Sequence, residues 1–143
     1  MFRPMRRKRQ LLSEEQSIAV LQRQTAGVLA VSGDDGYPYA VPLSYVYQDG
    51  KLFFHCAKAG HKLDAIVNND KVSFCVVDQD QVVPEQYTTY FRSVIVFGRA
   101  RVLDNEAEKR AALELLAAKY SPELEQGRLE EIERQFQSVC MVE

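Results

Sequence analysis

Both histidines of this chain, one of its three cysteines and two of its lysines fall within eight residues, HCAKAGHK at 55–62. Four kinds of chemistry could gather His55, Cys56, Lys58, Gly60, His61 and Lys62 there. A metal is the first, but adjacent residues of a strand point to opposite faces, so His55 and Cys56 cannot readily share one ion if 51–57 is extended. His55, His61 and Asp64 match no familiar tetrahedral spacing, and no metal site is assigned. A Cys56 nucleophile activated by His61 is the second. No orienting Asn or Asp is visible, however, and Cys56 falls on the face of Leu52 and Phe54, which favours a core cysteine. An anion site is the third: Gly60 stands where strand gives way to helix, unpaired N–H groups and the positive helix end converge there, and Lys58, His61 and Lys62 add charge. A plain helix start carrying solvated basic residues is the fourth.

The neighbourhood favours the anion. A strand rich in Tyr, Val, Pro and Ser precedes the cluster, and His55 at a strand end could face a flat, partly apolar ligand whose phosphate lies at His61 and Lys62. That arrangement suits flavin mononucleotide (FMN).

The elements that must position these residues follow from periodicity. Ser13 and Gln16 form an S-x-x-Q capping box, predicting a helix to about Gln24 that Gly27 ends. GVLAVS, the turn GDDG and YPYAVPLSYVYQ predict a hairpin whose second arm, carrying Pro38 and Pro42, is an edge or bent strand. Asp49-Gly50 is a further turn before the strand 51–57, and Leu63, Ile66 and Val67 take helical spacing. KVSFCVV is the next strand and DQDQVVPEQY a polar loop; 88–103 is a long bent strand with its corner or bulge at Gly98. Two helices are expected over 105–137, and VCMVE begins a last strand that breaks off at Glu143 as if a tail had been trimmed.

Together these predict one domain over 1–143 of the α+β class, mainly β, an antiparallel split barrel with peripheral helices. A doubly wound parallel sheet is excluded, because 27–57 leaves no room for crossover helices. A net charge of −2 with 27% charged residues gives no global bias toward nucleic acid. The basic arm at 1–12, with Arg3, Arg6, Arg7, Lys8 and Arg9, is opposed by ten acids against five bases from Asp104 onward, so a nucleic-acid-binding barrel is disfavoured. Three cysteines without a C-x-x-C pair fit a reducing cytoplasm, and no apolar run reaches membrane-spanning length.

GVLAVSGDDGYPYAVPLSYVY, GKLFFHCAKAGHKLDAI, NDKVSFCVV and TTYFRSVIVFGRARVL together resemble the nitroimidazole-reductase-related branch of the pyridoxamine 5'-phosphate oxidase-like, FMN-binding split barrels. The resemblance implies that Tyr39, Val41, Pro42, Leu43 and Ser44 line the flavin and that His55 and Cys56 contact its ribityl chain and ring. It implies that His61 and Lys62 replace the Arg-Lys pair that holds the phosphate in the oxidases, and that Ser93 falls where they place a Gln reaching the flavin across a dimer. It further implies a homodimer with flavin at the interface, reducing a small flat acceptor such as a 5-nitroimidazole, with NAD(P)H as a reductant. Histidine in place of arginine should weaken FMN binding or make it pH-dependent. The Arg and His that handle pyridoxal phosphate in the oxidases have no counterpart here, which argues against a vitamin B6 oxidase. His55 is the one titratable candidate near the ring. A non-catalytic flavin or haem binder, with His55 or His61 as axial ligand, is the alternative.

Overall fold

A computed structural model describes residues 2–122, 127, 130, 131, 136 and 139–142. The helices α1 (Glu14–Arg23), α2 (His61–Asn68) and α3 (Glu106–Tyr120) accompany the strands β1 (Ala26–Ser32), β2 (Pro38–Ser44), β3 (Val46–Gln48), β4 (Lys51–Ala57), β5 (Lys71–Val83), β6 (Thr88–Arg99) and β7 (Val139–Val142). All described pairings are antiparallel, in a four-stranded sheet ordered β2-β1-β5-β6 and a three-stranded sheet ordered β3-β4-β7. The barrel is therefore split, as its residues predicted. The second expected C-terminal helix falls largely on residues outside those described.

Local chemistry explains most boundaries. Ser13 accepts from the Gln16 N–H at 3.1 Å while the Gln16 side chain accepts from the Ser13 N–H at 2.8 Å, closing the capping box of α1. Asp49 and Gly50 both take positive φ, 48° and 80°, in the two-residue turn between β3 and β4. Pro38 and Pro42 sit on β2, an edge strand, where a missing donor leaves no ladder bond unmade. Leu29, Phe54, Phe74 and Val76 lead the core between the two sheets.

The split occurs at Tyr45. Alternation along 37–48 fails there, because Tyr45 and Val46 are consecutive and both buried: the chain leaves one sheet after Ser44 and enters the other at Val46. A residue between ladders has backbone groups without strand partners, and α3 supplies them. The Tyr120 hydroxyl accepts from the Tyr45 N–H at 3.0 Å and lies within donating reach of the Tyr45 and Thr25 carbonyls. Lys119 donates to the carbonyls of Tyr45, at 3.1 Å, and Gln24, with its ammonium 4.0 Å from the centre of the Tyr45 ring. Burial lowers the Lys119 pKa and raises that of Tyr45, whose hydroxyl donates to the Leu21 carbonyl at 2.7 Å. Tyr120→Phe should cost about 1–2 kcal/mol in urea unfolding, because it strands the Tyr45 N–H. A loss under about 0.5 kcal/mol would mean that water replaces the hydroxyl at no cost.

Two expectations are corrected. The segment 78–83 belongs to β5, whose hairpin with β6 continues to the pair Val83 and Thr88; it resembles a loop because the outer half of this ribbon is solvated and needs no apolar alternation. The bulge lies at Asp78, between Val77 and Gln79, while Gly98 pairs regularly with Val72. Asp78 uses the bulge to turn its carboxylate toward α1. It accepts from Arg23 Nε (2.8 Å) and Nη2 (2.5 Å), Gln24 Nε2 (2.8 Å) and Arg92 Nη1 (2.9 Å). The basic arm forms one 3-10 turn at Lys8–Gln10, and Phe2 stacks on Phe97 at 4.8 Å. No described helix is long and apolar enough to cross a membrane.

Candidate functional site

Gly60 is the N-cap of α2, at φ 151° and ψ 171°, a conformation that glycine alone adopts cheaply. No side chain caps the helix, and the first helical bond runs from the Asp64 N–H to the Gly60 carbonyl, so the N–H groups of His61, Lys62 and Leu63 precede the internal ladder. Leu63, Ala65 and Ile66 bury the opposite face of α2 and hold its N-terminus at the end of β4.

The imidazole of His61 stacks on Tyr39 of β2, ring centres 4.1 Å apart, and its Nε2 lies 3.8 Å from an Asp34 carboxylate oxygen in the β1–β2 turn. This joins α2 to the strand predicted to line a ligand. Tyr39, Val41 and Leu43 are half-buried and pack on the core, while Pro42 and Ser44 stand on the exposed face of β2. Lys62 is half-buried and Lys58 exposed.

Alternation along β4 divides His55 from Cys56 as expected. Phe54 and Cys56 are buried, whereas His55 and Ala57 face outward. The Cys56 side chain thus belongs to the core, and any contact it makes on the His55 side is through its backbone. His55 keeps substantial accessible area yet is crowded by surrounding protein, and this desolvation, followed by the nearby Lys62 ammonium, lowers its pKa and favours the neutral imidazole. His55 and Lys62 are therefore neighbours.

Ser93 is not brought to these residues within one chain. It sits on β6 opposite Val77, at the far edge of the sheet from β2. Three strand spacings separate those edges, roughly 14 Å. Among the described residues no three His, Cys, Asp or Glu side chains gather to hold a metal ion. Asp34 is the residue that sequence reasoning missed here, and only the closeness of the GDDG turn to the end of β4, a long-range contact, could have exposed it.

An uncapped helix end flanked by Lys58, His61 and Lys62, beside a half-buried aromatic strand, fits a phosphate carried by a flat ring system. Residues 13–141 match the model of a family described as pyridoxamine 5'-phosphate oxidase. The chain belongs to this family. No curated protein matches it. Among solved structures, this pyridoxamine 5'-phosphate oxidase family member is similar to a candidate 5-nitroimidazole antibiotic resistance protein from Bacteroides thetaiotaomicron: 17% identity, TM-score 0.74, covering 92% of this chain and 78% of that one. It is similar to a FAD-binding protein from Mesorhizobium loti at 25% identity and TM-score 0.63, over 92% and 88% of the two chains. An FAD and haem binding protein from Mycobacterium smegmatis shares 22% identity at TM-score 0.73, over 91% of this chain and 64% of that one.

Proposed function

We propose that this chain is an FMN-binding oxidoreductase of the cytoplasm that works as a homodimer and passes electrons from NAD(P)H to a small flat acceptor of the 5-nitroimidazole class. The observation that carries this reading is the open N-terminus of α2 behind Gly60, with Lys62 beside His55 on one side and the Tyr39–His61 stack on the other. In it the N–H groups of α2 and Lys62 hold the phosphate, and the strand Tyr39 to Ser44 lies along the ring system. Bound FMN supplies the electron transfer; the chain supplies position and charge. His55, whose neutral form is favoured by burial and by the Lys62 ammonium, serves the ligand as a hydrogen-bond partner.

The dimer is proposed from the outer face of the four-stranded sheet. Val28, Val77, Ile95 and Phe97 are exposed there, Ile95 at 59% and Phe97 at 54%, a larger apolar face than a solvated sheet usually carries. Ser93 shares this face with Val77, so a second copy laid over it would carry Ser93 to the other chain's β2. Ile95→Lys should yield a monomer by sedimentation and lose flavin; a dimer of unchanged affinity would remove this face as the interface.

Absorbance after incubation with FMN, FAD and haem separately, then desalting, tests the cofactor. The expected result is one FMN per chain with two broad flavin bands; a sharp Soret band with no retained flavin would replace this reading with a haem carrier. Titration of the flavin-loaded protein with NADH and then metronidazole tests the electron path. Bleaching by NADH and recovery on adding the nitroimidazole without oxygen is expected.

A further inference from the structure

The two sheets part where the β3–β4 turn faces β5 and β6, and a cleft of about 240 Å³ opens between them. Leu29, Leu52, Phe54, Phe74 and Val96 are among its walls, and Lys51 and Arg99 are the charged residues of its lining. Its shape depends on Gly98. The inward positions of β6 run Val94, Val96, Gly98; Val94 is buried and Val96 half-buried, but a Cβ on Gly98 would meet nothing within 4 Å. Gly98 is itself exposed, so this space is the open mouth of the cleft and not a sealed void. The lining shares none of the residues around α2 and meets the proposed dimer face only at Phe97.

Size and charge together limit what would enter. A cavity of about 150 Å³ walled by Leu, Ile and Phe accepts benzene, so this one admits a group larger by roughly half. A wholly apolar molecule would satisfy the walls and ignore Arg99. The Arg99 side chain is 73% exposed and its acid, Asp70, stands 3.9 Å away, a loose surface pair worth little. A guanidinium offers a carboxylate two parallel donors, and a better-placed carboxylate would displace so weak a partner. We propose that this cleft binds a small amphipathic carboxylate, its hydrocarbon or aromatic body between the sheets and its carboxylate at Arg99.

Calorimetric titration of the full chain with octanoate and, separately, with 1-octanol tests the assignment. Octanoate should bind at least tenfold more tightly than the alcohol. Arg99→Gln should erase that preference while leaving the affinity for octanol as it was. Gly98→Phe, which fills the space between the sheets, should abolish binding of both and leave FMN retention unchanged. Equal affinity for acid and alcohol, octanoate binding that survives Gly98→Phe in a folded protein, or no binding of either ligand would overturn the proposal. Should Gly98→Phe fail to fold, the loss or persistence of acid preference in Arg99→Gln decides alone.

Discussion

Asp78→Ala is expected to lower stability by about 2–3 kcal/mol, with a fall in Tm of roughly 8 °C for a chain of this size. The carboxylate is the meeting point of three elements: Arg23 and Gln24 at the end of α1, the bulge in β5, and Arg92 on β6. Its side chain is 4% exposed while those of Arg23 and Arg92 are 48% and 44% exposed, so the arginines shield it and stay partly hydrated themselves. That partial hydration keeps the cost below the penalty for stranding fully buried charge. The hydrogen bond from Arg23, and then those from Gln24 and Arg92, hold the Asp78 carboxyl well below the usual carboxylate range against the opposing effect of burial. A depressed carboxyl stabilises the folded state fully above its unfolded pKa, near 3.9, and loses that contribution as pH falls toward the folded value. Urea unfolding at pH 7, 4 and 2.5 should therefore show the gap between wild type and Asp78→Asn narrowing below about pH 4. A gap that is constant over that range would mean that Asp78 acts through packing and not through charge.

What the residues disclosed and what they concealed divide along sequence distance. The capping box at Ser13, the Asp49-Gly50 turn and the opposite faces of His55 and Cys56 are decided by neighbours a few positions away, and each stands as its spacing required. The same locality made α2 and its open N-terminus legible from HCAKAGHK. Asp78 was hidden in a polar run, because a bulge shifts register by one residue and its partners Arg23 and Arg92 lie 55 and 14 positions away. Tyr45 looked like one more member of an alternating strand. Only Lys119 and Tyr120, 74 and 75 positions later, reveal that the chain changes sheets there. At the candidate site, spacing placed His61 beside an anion, but its engagement with Tyr39 and Asp34 depends on how the β1–β2 turn packs against α2. A sequence pattern carries no term for that approach.

Lys62→Ala should weaken FMN retention at least tenfold while leaving the unfolding midpoint within about 0.5 kcal/mol of wild type. Lys62 is half-buried in the first turn of α2, where the helix end already favours negative charge, and it is close enough to His55 to depress that side chain's pKa. A phosphate there would gain a charge-assisted contact from the ammonium, a type worth about 1.5–3 kcal/mol, or roughly 10- to 150-fold in affinity. His61 is less available, since its ring leans on Tyr39 and its Nε2 is directed toward Asp34. Asp34→Asn accordingly separates the two roles. With that acid neutralised, FMN binding should tighten by a few fold, because a carboxylate no longer stands beside the proposed phosphate site. Equilibrium dialysis of FMN and of riboflavin, which lacks the phosphate, reads both effects: the Lys62→Ala and Asp34→Asn changes should appear with FMN and vanish with riboflavin. Equal losses for the two ligands would move Lys62 from the phosphate to the ring, and unchanged FMN stoichiometry after dialysis of Lys62→Ala would remove the α2 end as the phosphate site.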